Sequence, residues 1–225
     1  HNPESELSKL NANPEKDLQL SPLSLVALHL ARGITRTSGG LFNCTCGGHL
    51  VSEGILPRHD DHPYLEQGMA EDLYLKGFTA RLQRPVLITL DGIAKGYAVD
   101  LAVKAMKKQG VTSGWVNAGG DLRVFGEVQL PLQRREVDES LTHLGSFQEI
   151  AIATSTVFEQ YNPTFPGKIQ GSALVPPQTG AWTVAAPSTW LADALTKVAS
   201  LAPIEDKATL IAKLGGQLLT PQGME

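Results

Sequence analysis

An α+β fold is predicted, on three observations. Helical and strand-like periodicities follow one another irregularly, without the steady strand–helix–strand repeat of a doubly wound sheet. The 22 glycines and 14 prolines punctuate the chain into short elements without forming a low-complexity tract. At 225 residues and 42% apolar, the chain is long enough to bury a sizeable core without staples. No repeat period and no composition shift is evident, so residues 1–225 read as one domain.

The elements follow in order. Ser21-Pro22 opens a helix, with Ser as the cap and Pro at the first helical position. Leu23, Val26, Ala27 and Leu30 continue it at helical spacing, and Gly39-Gly40 ends the segment. Arg58 to Pro63 is a charged break, and Gly68 to Gly77 reads as a short connector. Phe78 to Leu82 and Val86 to Leu90 read as strands on either side of Pro85. Ile93 to Lys108 is the clearest helix, with Ile93, Tyr97, Ala98, Leu101 and Ala105 on one face and Gly110 as the stop. Ser113 to Val116 and Leu122 to Val128 are strands flanking Asn117-Ala-Gly-Gly-Asp121. Glu127 to Ser146 is polar, a loop or hairpin edge, and Glu149 to Ala153 is a strand. Pro163 to Pro177 is a Pro/Gly-rich loop. Trp182 to Ala186 is a strand, Ala192 to Ser200 and Ile204 to Leu214 are helices, and Gln217 to Leu219 is a final strand.

Charge and composition exclude several classes. A net charge of −4 argues against a basic nucleic-acid groove and against attachment to anionic lipid. No apolar run approaches the ~20 residues of a membrane-spanning helix. His1 to Ser5 shows no apolar leader stretch. Cys44 and Cys46 stand too close for a relaxed disulfide and lack a second pair for zinc, so both read as small buried thiols.

Three stretches carry candidate chemistry. In Asp91-Gly-Ile-Ala-Lys-Gly-Tyr-Ala-Val-Asp100 a strand gives way to a helix, whose first N–H groups suit a phosphate. Lys95 sits in the first helical turn, where a cation is unfavourable unless an anion lies nearby. The bland alternative is a helix capped by Asp91 with Lys95 in solvent. In Asn117-Ala118-Gly119-Gly120-Asp121, two glycines permit either an anion-binding nest or a plain β-turn. In Ala192-Asp193-Ala194-Leu195-Thr196-Lys197, Asp193 and Thr196 share a helix face and offer hard oxygens for Mg²⁺. Asp193 and Lys197 at i,i+4 are alternatively a surface ion pair. His59-Asp-Asp-His62 reads as a solvated loop, since four adjacent side chains seldom converge on a metal.

The three stretches, in this order, resemble the FAD:protein FMN transferases, formerly called thiamine-biosynthesis lipoproteins. Supporting segments are Ser5 to Ser8 with Leu10-Asn11, Ser38 to Asn43 with Thr45 and Gly47, Ala153-Thr-Ser155 and Gln178-Thr-Gly180. The resemblance runs from Ser5 to about Leu219. It implies a T-fold-like α+β domain with mixed or antiparallel sheets and packed helices. It implies FAD as substrate, Mg²⁺ as cofactor, and transfer of FMN to a Thr or Ser hydroxyl of an acceptor flavoprotein with release of AMP. By the same resemblance the metal is held by the Gly92 carbonyl, Asp193 and Thr196, with Lys95 and Asp193 catalytic. The dinucleotide is expected along Asn11, Lys95, Asn117, Ala118, Gly119, Gly120, Asp121, Thr154, Ser155 and Thr179. A periplasmic or membrane-facing location is expected, with cytoplasmic residence the alternative.

This chain departs from the family pattern at identifiable places. The family's H-I-I-D-P-R-T-G reads Ala173-Leu-Val-Pro-Pro-Gln-Thr-Gly180, so its His, Asp and Arg are replaced. Its D-A-L-A-T reads Asp193-Ala-Leu-Thr-Lys197, which moves the hydroxyl one place and puts a lysine in its position. Asn43 stands for an Asp. The alternative function is therefore an FAD-binding or weakly hydrolytic relative that transfers nothing.

Overall fold

The computed structural model describes residues 2–59, 61–159 and 176–220. They form an α+β arrangement of antiparallel sheets with packed helices. The chain divides into two compact units, residues 1–91 and 92–225.

In the first unit, α1 (Glu6–Asn11) is capped by Ser5, whose hydroxyl accepts from the Ser8 amide. The Glu6 carboxylate in turn accepts from the Ser21 amide at 2.7 Å, from the Ser21 hydroxyl at 2.6 Å and from the Ser24 hydroxyl. These bonds hold Glu6 below the usual carboxylate range. They also fix the start of α2 (Pro22–Thr37), which Ser21 caps as its sequence predicts. The buried residues of α2 include Leu25, Leu28, Ala31 and Ile34 along with the expected Ala27, whereas Leu23 and Val26 are exposed. A helix this rich in apolar residues offers more than one stripe at 3.6-residue spacing, and packing chose the neighbouring one.

A short α3 (Gly47–Ser52) follows. The strands β1 (Leu18–Gln19), β2 (Leu73–Lys76) and β3 (Thr79–Leu82) form a sheet in the order β1-β3-β2. The segment expected as a connector thus contains β2, whose Leu73 and Leu75 are buried while Lys76 is exposed. The expected strand at Val86 to Leu90 is reduced to single parallel bridges, Val86 with Leu65 and Leu87 with Cys46. Cys44 is buried and both cysteines are free thiols; burial pushes them up, to about 11 for Cys44 and about 12 for Cys46.

The second unit is built on a five-stranded antiparallel sheet in the order β10-β9-β8-β5-β4. Its strands are β4 (Gly114–Ala118), β5 (Asp121–Phe125), β8 (Ala151–Val157), β9 (Gly180–Ala186) and β10 (Gln217–Leu219). The polar stretch after β5 folds as a hairpin of β6 (Leu130–Arg135) and β7 (Leu141–Phe147). Helices α4 (Ala94–Lys108), α5 (Thr189–Leu201) and α6 (Lys207–Lys213) complete the unit. Helix α5 is buried nearly all round, through Ala192, Ala194, Leu195, Val198 and Ala199. A helix that is apolar on every side belongs in a core, and its buried Asp193 therefore needs an explanation.

Helix α4 turns inward a face that shares Ile93 with the expected stripe but is otherwise shifted from it. Gly96, Val99 and Val103 are buried, with Ile93 just before the helix, while Ala98 and Ala105 are exposed. The reason is Gly96. A Cβ there would lie 2.5 Å from the Thr189 carbonyl oxygen, so the missing side chain lets the start of α5 seat against α4.

Asp100 locks this contact. Its Oδ1 accepts from the Thr189 amide at 2.9 Å and the Thr189 hydroxyl at 2.8 Å, and its Oδ2 accepts from the Trp190 amide at 3.0 Å. Ser188, at the cap position of α5, makes no side-chain cap bond, so a carboxylate from another helix takes that role. Asp100→Ala is expected to cost about 2 kcal/mol in a urea melt, because charge-assisted cap bonds are lost with no replacement.

Candidate active site

Four charged side chains of the second unit converge. Asp193 projects from α5 and Asp121 opens β5; each is only 1% exposed. The Lys95 ammonium, from the first turn of α4, lies 3.3 Å from Asp121 Oδ2 and 3.4 Å from the Gly119 carbonyl oxygen. The anion that a first-turn lysine calls for is thus Asp121. The Lys197 ammonium contacts Asp193 Oδ1 and lies 3.2 Å from Ser155 Oγ. The i,i+4 pair of Asp193 and Lys197 does form, but it is sunk into the unit rather than on its surface.

Charge balance is tight, yet hydrogen bonding is incomplete. Oδ2 of Asp121 and Oδ2 of Asp193 are buried and make no hydrogen bond among the described residues. Burial, and next the adjacent Asp193 carboxylate, push Asp121 up to about 7, against the pull of Lys95 and Lys197. Folded Asp121 therefore holds its proton over a range where the unfolded chain has released it. Its contribution to stability falls as pH rises from about 4 to about 7 and is level above that. Asp121→Asn is expected to raise the melting temperature of metal-free protein by several degrees at about pH 8, with the gain vanishing below about pH 4. Thermal melts of both proteins across pH check this.

The Asn117–Asp121 stretch is a tight two-residue hairpin turn. Ala118 pairs with Asp121, and the central Gly119 and Gly120 have φ of 59° and 97°. Both positions favour glycine because a Cβ is strained at positive φ. The Gly120 amide donates to Asn117 Oδ1 at 2.9 Å, so that N–H is already engaged. The turn forms one rim of a cavity of about 300 Å³ whose lining includes Asn117, Gly120, Arg134, Thr154 and Phe158. Arg134 is held there by Glu136 at 2.7 Å.

The remaining expected site residues fall in different places. Thr154 and Ser155 point to opposite faces of β8, as strand alternation requires. Thr154 lines the cavity and bonds Thr183 at 2.9 Å, whereas Ser155 meets the Thr196 hydroxyl at 2.7 Å. Thr196 is fully buried and also donates to the Asp193 carbonyl at 2.7 Å. Gly92 lies in the turn before α4, and Ile93, rather than Asp91, stands at the cap position with no side-chain cap bond. Thr179 is exposed just before β9. Its neighbour Gln178 is a staple, donating to the Ser200 and Ala202 carbonyls through its backbone and side-chain amides and accepting from Lys207 at 2.9 Å. Asn11 belongs to the first unit, where its amide group bonds both the N–H and the C=O of Ile88. Ala173 lies outside the described residues.

Sequence reasoning missed Asp100 as the cap of α5. Its only signal was the one acidic residue of α4, set between Val99 and Leu101. It also missed that Asp121 and Asp193 meet, since nothing local couples a strand start to a distant helix.

The donor set fits a hard divalent cation. Asp193 Oδ2, buried and without a hydrogen bond, and Asp121 Oδ2, which meets the Lys95 ammonium at 3.3 Å, are the kind of ligand Mg²⁺ accepts, with phosphate and water completing its shell.

Comparison with known proteins agrees with this fold. Among solved structures, the Pseudomonas stutzeri flavinyl transferase ApbE in its apo form superposes with a TM-score of 0.77 at 19% identity, over 98% of this chain and 79% of that one. The flavin transferase ApbE from Vibrio cholerae gives 0.72 at 21% identity, over 98% and 82%. The ApbE protein from Thermotoga maritima gives 0.78 at 23%, over 97% and 79%. These likenesses establish a shared fold. Curated protein sequences give no match. The sequence profile of the ApbE family matches residues 1–219, and on that match the chain belongs to the ApbE family.

Proposed function

We propose that this protein transfers FMN from FAD to a Thr or Ser hydroxyl of an acceptor flavoprotein, releasing AMP, with Mg²⁺ as cofactor. The observation that carries the reading is the buried Asp121–Asp193 pair, flanked by Lys95 and Lys197 at the end of the Asn117–Asp121 turn. Family membership and the flavin transferases among the structural neighbours support it.

The chemistry is substitution at phosphorus. The acceptor oxygen bonds to the phosphorus of the FMN half, the P–O bond to AMP breaks, and the hydroxyl proton passes to solvent water. Negative charge develops on the diphosphate oxygens and on AMP. Asp193 and Asp121 would hold the cation, whose role is to neutralise that charge. Lys95 is placed to meet the diphosphate from the uncapped start of α4, where helix N–H groups add to the field. The turn glycines leave the backbone bare, so the dinucleotide approaches it closely along Asn117 to Gly120. The cavity beside Thr154 and Arg134 offers a volume for one ring system.

A second reading rests on Gln178. It is committed to stapling the end of α5, so this part of the late loop adds no charge to the site. On that reading the protein binds FAD and transfers nothing. Incubation with FAD, Mg²⁺ and a peptide carrying an acceptor Thr, read by mass spectrometry, separates the two. A mass gain of one FMN, abolished by EDTA, is expected. Bound FAD with unmodified peptide would establish the second reading instead.

A further inference from the structure

We infer that Lys197 is a built-in counter-cation for the Asp121–Asp193 pair, and that it makes divalent-metal binding there conditional on a bound diphosphate. The inference rests on the cation site proposed above and assigns a role to this chain's own lysine.

Two carboxylates, each only 1% exposed, cannot both stay ionised side by side without positive charge nearby. Lys95 supplies one charge at Asp121 and Lys197 supplies another at Asp193. With both carboxylates ionised the four charges cancel, so the cluster is neutral before any metal enters. A divalent ion added alone leaves the cluster with two surplus positive charges in a largely dry site. A diphosphate diester brings two negative charges and restores the balance. Metal and diphosphate should therefore bind together far better than the metal alone.

Lys197 is held in place for this role. Its ammonium is bound between Asp193 Oδ1 and Ser155 Oγ, and Ser155 is itself fixed by the Thr196 hydroxyl at 2.7 Å. The side chain is 21% exposed, against 44% for Lys95. It engages one oxygen of Asp193 and leaves Oδ2, buried and without a hydrogen bond, as the oxygen available to a cation.

The test is Mn²⁺ binding to the full chain, read from the loss of the free-ion EPR signal with and without FAD, with an FAD-only blank. The parent protein is expected to bind Mn²⁺ at least tenfold more tightly when FAD is present. Lys197→Met is expected to bind Mn²⁺ without FAD at least tenfold more tightly than the parent and to lose most of the FAD dependence. Lys197→Arg, which keeps the charge, is expected to behave as the parent does. Equal Mn²⁺ affinity of parent and Lys197→Met without FAD overturns the role of Lys197 while leaving the cation site intact. An FAD-independent Mn²⁺ affinity in the parent overturns it too, and needs no variant to fold. Absence of Mn²⁺ binding in every protein, with FAD or without, overturns the cation site and this inference together.

Discussion

Asp193→Asn is expected to lower the rate of flavin transfer on the order of 10³-fold while leaving the protein folded. The substitution keeps the shape of the side chain and removes one buried negative charge, so the fold tolerates it. What disappears is the anionic oxygen that faces the cation position. Lys197, then without its carboxylate, keeps Ser155 and has a path to solvent. Acceptor modification by mass spectrometry gives the rate, and circular dichroism with a thermal melt reports the fold. A variant with transfer within threefold of the parent removes Asp193 from the proposed mechanism.

Gly96→Val is expected to lower the melting temperature by roughly 10 °C, with flavin transfer falling in parallel. A Cβ at this position would meet the Thr189 carbonyl oxygen at 2.5 Å, the Thr189 carbonyl carbon at 2.7 Å and the Trp190 amide nitrogen at 2.8 Å. All three are backbone atoms, so no side chain can rotate away. The clash is relieved only by moving α4 from the start of α5, which breaks the bonds of Asp100 to Thr189 and Trp190. Because α5 carries Asp193, the displacement reaches the carboxylate pair. Calorimetry of the variant checks the stability, and an unchanged melting temperature rejects this account of the glycine.

Both predictions turn on residues that were visible in the chain, though their roles were not equally visible. Asp193 was identified from residue type and spacing, because a carboxylate and a hydroxyl three apart on a helix share a face. Gly96 lay inside a recognised motif but counted for nothing in the helical stripe, since a pattern of apolar residues passes over the residue that lacks a side chain. The true inward face of α4 is built around that absence. Likewise Leu23 and Val26 fitted a helical stripe, yet Leu25, Leu28, Ala31 and Ile34 fitted one as well, and only packing distinguished them. The strand at Leu73–Lys76 was too short for alternation to stand out between glycines.

The chain by itself determined the fold class, most of the elements after Ile93, the cap at Ser21-Pro22 and the order of motifs that marks the family. These depend on local geometry, which a few neighbouring residues encode through 3.6- and 2-residue periods and through the backbone freedom of Gly and Pro. Tertiary structure alone decided that Asp121 meets Asp193, that Lys197 turns inward to Ser155, and that Asp100 caps a helix far along the chain. Such contacts are set by which strands pair and how helices seat on the sheet. They join residues whose separation in sequence carries no periodic signal, so only the folded chain brings the charges together.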